Sequence, residues 1–497
     1  MNSELMPFEP AELAFIGVYL LSLLVVGWLG LRAKKDDSMS DFYLGGKGVG
    51  LFVLVLTLYA TQYSGNSMFG YTGNAYRIGY AWLMCVHFMT AVVVFYLLLA
   101  PRLHFLSKRE GFITPTDYLE HRFGSPSMNL VATLLMLVAV GNYLVAQMMA
   151  MGRALQGLMP QVPESAYIYG VILLALIIVV YETLGGFRAV AWTDVIQGLI
   201  LLVGLFLLLG MACHYVGSPA DATGKLLASS PADVAKVLPP DAQRCREWLS
   251  YVVVVGLGAA LYPQAIQRIY AARSAATLRR SLAVMAFLPM TVCITTVLVG
   301  VIGAAYEPGL KAAESDKILT VICREIQQQS LFGRWLVVVL FAAILAAVMS
   351  TADSVLLSIS SMLTKDLYGR FARPNASNTE LALVGKISSW ATIGVAVHLA
   401  VICRNVTLIQ VLDRKFDLLV QLAPAFILSL HWKRLRVGPT LAGLIAGVAL
   451  AVTLAACGYG KIGGVHAGIF GLAANFAIAV FGSTLYERES PPHAVCS

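Results

Sequence analysis

Residues 50–77 read GLFVLVLTLYATQYSGNSMFGYTGNAYR, an apolar run interrupted in its middle by Ser64-Gly65-Asn66-Ser67. A helix crossing ~30 Å of hydrocarbon needs ~20 residues, and at mid-depth no water replaces the backbone hydrogen bonds that helix-breaking residues give up. Such a break persists only where an ion, a ligand or another helix satisfies the freed groups. A second stretch, EWLSYVVVVGLGAALYPQAIQRIYA at 247–271, repeats the situation with Gly256, Gly258 and Pro263 inside an apolar run. The two lie five spans apart, as first helices of two inverted five-helix repeats would, and matched broken spans point to the binding site of a membrane carrier.

Composition supports that frame. Hydrophobic residues make up 58% of the chain and charged residues 12%, about half the charged share of a soluble domain. Apolar windows and charged breaks predict about thirteen spans, near 11–32, 50–77, 79–101, 127–155, 164–184, 188–213, 247–271, 278–305, 334–364, 380–403, 409–431, 437–457 and 464–485. One all-α transmembrane unit follows, with a leading helix at 11–32, a first repeat over 50–213, a second over 247–431 and trailing helices over 437–485. Alternating short strands of a β-barrel are absent.

The net charge of +8 is scattered through short loops rather than gathered on one face, which argues against nucleic acid as a partner. Lys and Arg accumulate in alternate loops, among them the group Arg268, Arg273, Arg279 and Arg280. The positive-inside rule then places the N-terminus outside and the C-terminus in the cytoplasm. Compact tails suit a bacterial inner membrane, and no obligate protein partner is evident. The cysteines include no CxxC pair and read as packing residues, with Cys245 and Cys323 the only disulfide candidates. Dispersed histidines, with no HExxH pair and no phosphate loop, make an enzyme the least supported class.

In the first break the carbonyls of Ala60 and Tyr63 suit a cation, given hydroxyl partners from a facing helix. The ninth span supplies them: its segment 341–368 reads FAAILAAVMSTADSVLLSISSMLTKDLY, with Ser350, Thr351, Asp353 and Ser354 among aliphatics. Asp353 stands near mid-helix, where an ionisable side chain faces a cavity, a partner or a cation. Asp194, with Thr193 and Gln197, gives another span a polar stripe; it pairs with Arg188 at a helix end or converges with Asp353 to hold a second cation or share a proton. The solute belongs between the breaks, against Ser64, Gly65, Asn66 and Ser67, with Trp82, Asn142, Gln147, Tyr262 and Gln264 nearby. A half-helix N-terminus there favours a carboxylate. Arg77 either attracts an anion or anchors a helix end.

Several segments resemble the sodium:solute symporter family: FYLGGKGVG at 42–50, TPTDYLEHRF at 114–123, YETLGGFRAVAWTDVIQG at 181–198, GLGAALYPQAIQRIYAA at 256–272 and AVMSTADSVLLSISSMLTKDLY at 347–368. The resemblance implies the leucine-transporter fold and sodium-driven alternating access, with sodium as coupling ion and no organic cofactor. Carried over by position, it implies a sodium site on the carbonyls of Ala60, Tyr63 and Ala347 and the hydroxyls of Ser350 and Thr351. A second cation site would fall on Asp194, Asp353 and Ser354. The chain looks nearer the pantothenate, monocarboxylate and proline branches than the sugar branch, though Gln62 stands where the proline branch has an Asp. A small organic acid or amino acid is the implied solute. The alternatives are a proton-coupled or sodium-independent carrier on the same fold, or a transporter-like sensor.

Overall fold

A backbone that must satisfy its own hydrogen bonds in hydrocarbon folds as helices, and the computed structural model, which describes residues 8–33, 35, 38–159 and 161–489, is built almost wholly of them. In chain order the principal helices are α1 (Pro10–Arg32), α2 (Leu51–Gln62), α3 (Tyr71–Ile78), α4 (Met84–Glu110), α5 (Pro126–Leu158), α6 (Pro163–Tyr215), α7 (Ala242–Ala260) and α8 (Pro263–Ala271). They continue as α9 (Ala275–Met285), α10 (Leu288–Tyr306), α11 (Leu331–Met362), α12 (Asn378–Ile402), α13 (Leu408–Leu419), α14 (Val437–Ala456) and α15 (Ala467–Glu489).

Among the described residues, nine helices are long and apolar enough to cross a bilayer, ten if the bent pair α7–α8 counts as one span. The expectation of about thirteen counted three things differently. It separated α3 from α4, divided α6 in two, and took 409–431 as a span although its helical pieces are each short. Within α6 the division has a physical basis. Gly186 stands at φ 55°, ψ −152° inside 53 otherwise helical residues, and an added Cβ would meet Phe42 at 2.8 Å, so only glycine suits this kink.

Burial separates the core from the lipid boundary. α1 buries one stripe, Glu12, Ile16, Tyr19, Leu23, Gly27 and Gly30, at the spacing of a single helix face. Every residue of α11 from Leu340 to Met362 is buried. Its alanines and hydroxyls are the small side chains that let helices approach closely, which makes α11 the central post of the molecule.

Both expected breaks are present. α2 ends at Gln62, Tyr63 is extended at φ −106°, ψ 101°, and a π-helical turn over Asn66–Gly70 leads into α3. α7 and α8 meet at a 51° bend, where Pro263 lacks the N–H needed to continue α7 and instead opens α8. A tyrosine joins the two breaks: Gln62 Nε2 donates to Tyr96 Oη at 2.5 Å, and Tyr96 Oη donates to the Ala259 carbonyl at 3.2 Å. The disulfide considered for Cys245 or Cys323 is not formed; both are free thiols.

Candidate functional site

Termination of α2 leaves the Ala60 carbonyl without its helical partner, because the Ser64 amide turns to Ser67 Oγ at 3.4 Å. The facing α11 responds as expected: Thr351 Oγ1 donates to the Ala60 carbonyl at 3.2 Å. Two of the five expected cation ligands therefore touch, across 291 residues of chain. Ala347 and Ser350 lie on the same buried helix. The Ser350 hydroxyl, however, is directed to Asp194 Oδ1.

Asp194 is the centre of a network that sequence reasoning only half found. Its Oδ2 accepts from Thr57 Oγ1 and from Arg268 Nη2 at 2.9 Å. The guanidinium also donates to Thr57 Oγ1 at 2.8 Å, to Ser354 Oγ at 2.5 Å and to the Gln264 carbonyl at 3.1 Å. The loop-charge pattern places Arg268 among the cytoplasmic cations, yet it is 1% exposed. A cation four residues from the end of an apolar run is counted as a loop residue by any charge tally; here the bend turns it inward. Arg188, the other partner considered for Asp194, pairs instead with Asp41 at 2.5 Å.

Asp353 makes no ion pair or hydrogen bond with Asp194. Its Oδ1 accepts from the Ser354 amide at 2.8 Å, and its Oδ2 has no hydrogen-bond partner among the described residues. The expected second-cation residues are thus divided: Asp194 and Ser354 meet around Arg268, and Asp353 lies elsewhere.

Residues expected to touch the solute are also divided. The Gly65 amide donates to Gln147 Oε1 at 3.1 Å, and a Cβ at Gly65 would meet Val348 at 2.5 Å and Ala150 at 2.8 Å. Close approach of three helices therefore requires glycine here. Tyr262, in the second break, stacks on Tyr143 of α5 with centroids 5.3 Å apart. Gln264 is fully buried with both amide atoms unpartnered. Ser64 and Ser67 are buried within the first break, while the side chain of Asn66 lies outside the described residues. Trp82 is displaced from this group into an aromatic cluster with Tyr71, Phe88 and Tyr251. Asn142 is spent on the Val411 carbonyl at 3.0 Å.

Two residues that the sequence did not single out, Tyr143 and Lys415, occupy the space between the breaks. Lys415 of α13 is 1% exposed, and its ammonium lies 3.0 Å from the centroid of the Tyr143 ring. Arg77 is no free anion attractor, being paired with Asp316 at 3.1 Å and donating to Ser315 Oγ at 2.6 Å.

Comparison with known proteins gives the family and the fold. The profile of the sodium:solute symporter family matches residues 42–447. The osmoregulated proline transporter OpuE of Bacillus subtilis (strain 168) is 30% identical over 483 residues, covering 96% of this chain and 95% of that protein. A sodium/pantothenate symporter of Haemophilus influenzae is 27% identical over 351 residues, 70% of each chain. Among solved structures, a substrate-bound, outward-open Na+-coupled sialic acid symporter aligns at a TM-score of 0.76 and 21% identity, covering 99% of this chain and 100% of that one. That likeness shows the fold, which is the leucine-transporter fold that the family resemblance implies.

Proposed function

This chain belongs to the sodium:solute symporter family, and we propose that it imports a small organic carboxylate, an organic acid or amino acid, by sodium-coupled alternating access. It is a multi-pass membrane protein and a symporter of a small solute. The bilayer is its surroundings and the solute its partner. We place it in a bacterial inner membrane with the N-terminus outside, on the distribution of loop charges.

The observation that carries sodium coupling is the contact between Thr351 Oγ1 and the Ala60 carbonyl at the first break. A hydroxyl oxygen and a carbonyl freed from its helix are hard oxygen donors of the kind that hold small cations. The site proposed for sodium is Ala60, Tyr63, Ala347, Ser350 and Thr351, with the helix break supplying carbonyls and α11 supplying hydroxyls. Arg268 already neutralises Asp194 and bonds Ser354, so the reading favoured is one coupling cation. The solute binds between the breaks, against Ser64, Gly65, Gln147, Tyr262 and Gln264.

Uptake into proteoliposomes tests this. An inward sodium gradient accelerates uptake of the solute, and replacing sodium with choline abolishes the acceleration. The Ser350→Ala, Thr351→Ala double variant raises the half-saturating sodium concentration by about tenfold or more, a loss of about 1.4 kcal/mol of cation binding. Full-rate uptake without sodium, or an unchanged sodium dependence in that variant, refutes the proposal.

A further inference from the structure

We infer that Lys415 is the anchor for the solute's carboxylate, and that the aromatic cage around it favours a monocarboxylate over a zwitterionic amino acid. The inference rests on the carboxylate reading above and sharpens it to one residue and one class of acid.

Four of the five residues 413–417 are charged, and three of those charges have evident tasks. Asp413 pairs with Lys461 at 3.0 Å and accepts from Tyr251 Oη at 2.8 Å. Asp417 accepts from the Gly468 amide at 2.9 Å, and Arg414 is exposed. Lys415 alone turns a cation into the bundle. Its ammonium lies over Tyr143, 5.0 Å from the Tyr262 centroid and 4.8 Å from that of Phe416. Among the described residues it makes no ion pair and no hydrogen bond. Aromatic faces offset part of the cost of a buried ammonium, but they do not supply a counter-charge. An ionisable group held at membrane depth without one marks a site of function.

The location fits a solute. Tyr143 stands one turn before Gln147, which holds the first break at the Gly65 amide, and Tyr262 is itself the second break. The ammonium therefore lies where both breaks and α13 meet. Nearby, Gln147 Nε2 and both amide atoms of Gln264 are buried and unpartnered. Together they offer a cation for a carboxylate and amide groups for a carbonyl or hydroxyl on the same solute. The acid of the neighbouring network, Asp194, is committed to Arg268. An amino acid's ammonium would meet Lys415 as a like charge. A monocarboxylate without a neighbouring cation avoids that repulsion.

Thermal-shift titration of the purified full-length protein provides the test, using propanoate, pyruvate, L-lactate, pantothenate, L-proline and uncharged propanamide, each with and without sodium. Ligands that bind the folded state raise its melting temperature by mass action. A monocarboxylate is expected to stabilise the wild type in sodium, with propanamide and L-proline weaker. Lys415→Met and Lys415→Gln weaken that carboxylate by about tenfold or more while leaving the shift produced by sodium alone in place, and Lys415→Arg retains part of it. Carboxylate binding in Lys415→Met within about twofold of wild type overturns the assignment. So does equal or tighter binding of propanamide or L-proline, or no shift from any monocarboxylate. Sodium-indifferent carboxylate binding that still depends on Lys415 supports the anchor while counting against sodium coupling, so the two readings fail separately.

Discussion

Arg268 and Lys415 are both cations buried in the middle of the bundle, and the difference between them separates structure from function. Arg268 is bonded through all three guanidinium nitrogens, with an acid, two hydroxyls and a carbonyl around it. Its planar fork of donors suits a fixed pairing of this kind. The Lys415 ammonium lies among rings and, among the described residues, makes no ion pair or hydrogen bond. A single ammonium on a flexible stem is the better group to exchange one partner for another. The comparison teaches that a buried charge paired with an acid and bonded at each nitrogen ties helices together, whereas one left without a counter-ion is held ready for a ligand.

The largest expected effect is at the paired member. Arg268→Ala leaves Asp194 buried and unpaired, and removing one partner of a buried pair costs about 3–5 kcal/mol. The variant should lose folded protein on heating at a much lower temperature than wild type, read by fluorescence-detected size exclusion. Little or no loss would break the comparison by placing Arg268 among the dispensable charges. A double-mutant cycle with Asp194→Asn and Arg268→Gln sharpens it. If the two side chains act as a unit, the double variant is more stable than the sum of the single losses predicts, with a coupling of about 0.5–3 kcal/mol. Additive losses would mean that Thr57 and Ser354, not Asp194, hold Arg268.

What the sequence revealed of these two residues was unequal. Broken helices are legible because Gly, Pro and Ser clusters inside apolar runs have no other explanation at membrane depth, and 50–77 and 247–271 break where expected. Ser350 and Thr351 are legible because hydroxyls and an acid stand out in the aliphatic α11. Arg268 is not, since charge counting assigns any cation near the end of a span to a loop, and only the 51° bend reveals its inward path. Lys415 is hidden differently, among four charges in five residues that read as one polar helix face. Deciding which charge points inward requires the rotation of α13 about its axis, which depends on Phe416 packing against Tyr262 and on Asp417 meeting Gly468. Trp82 erred the opposite way: an aromatic beside a break looked like a binding residue and is a member of an aromatic cluster.

The smallest expected effect is on stability at the two buried ionisable groups without a counter-ion, Lys415 and Asp353. A buried ion without a partner costs free energy to hold, so its removal by a side chain of similar shape should not destabilise. Lys415→Met replaces the ammonium with a thioether, and sulfur over aromatic rings is itself favourable by about 0.3–1.5 kcal/mol. Asp353→Asn keeps the acceptor that takes the Ser354 amide and removes only the ionisable group. Both variants are expected to melt within about 1 kcal/mol of wild type, or above it, as surface-like substitutions do despite complete burial. For Lys415→Met that outcome must coincide with loss of carboxylate binding, since a residue retained for a ligand shows its contribution only when the ligand is present. A large loss of stability at Lys415 without ligand would instead make it a second Arg268, a structural cation whose partners are the rings themselves.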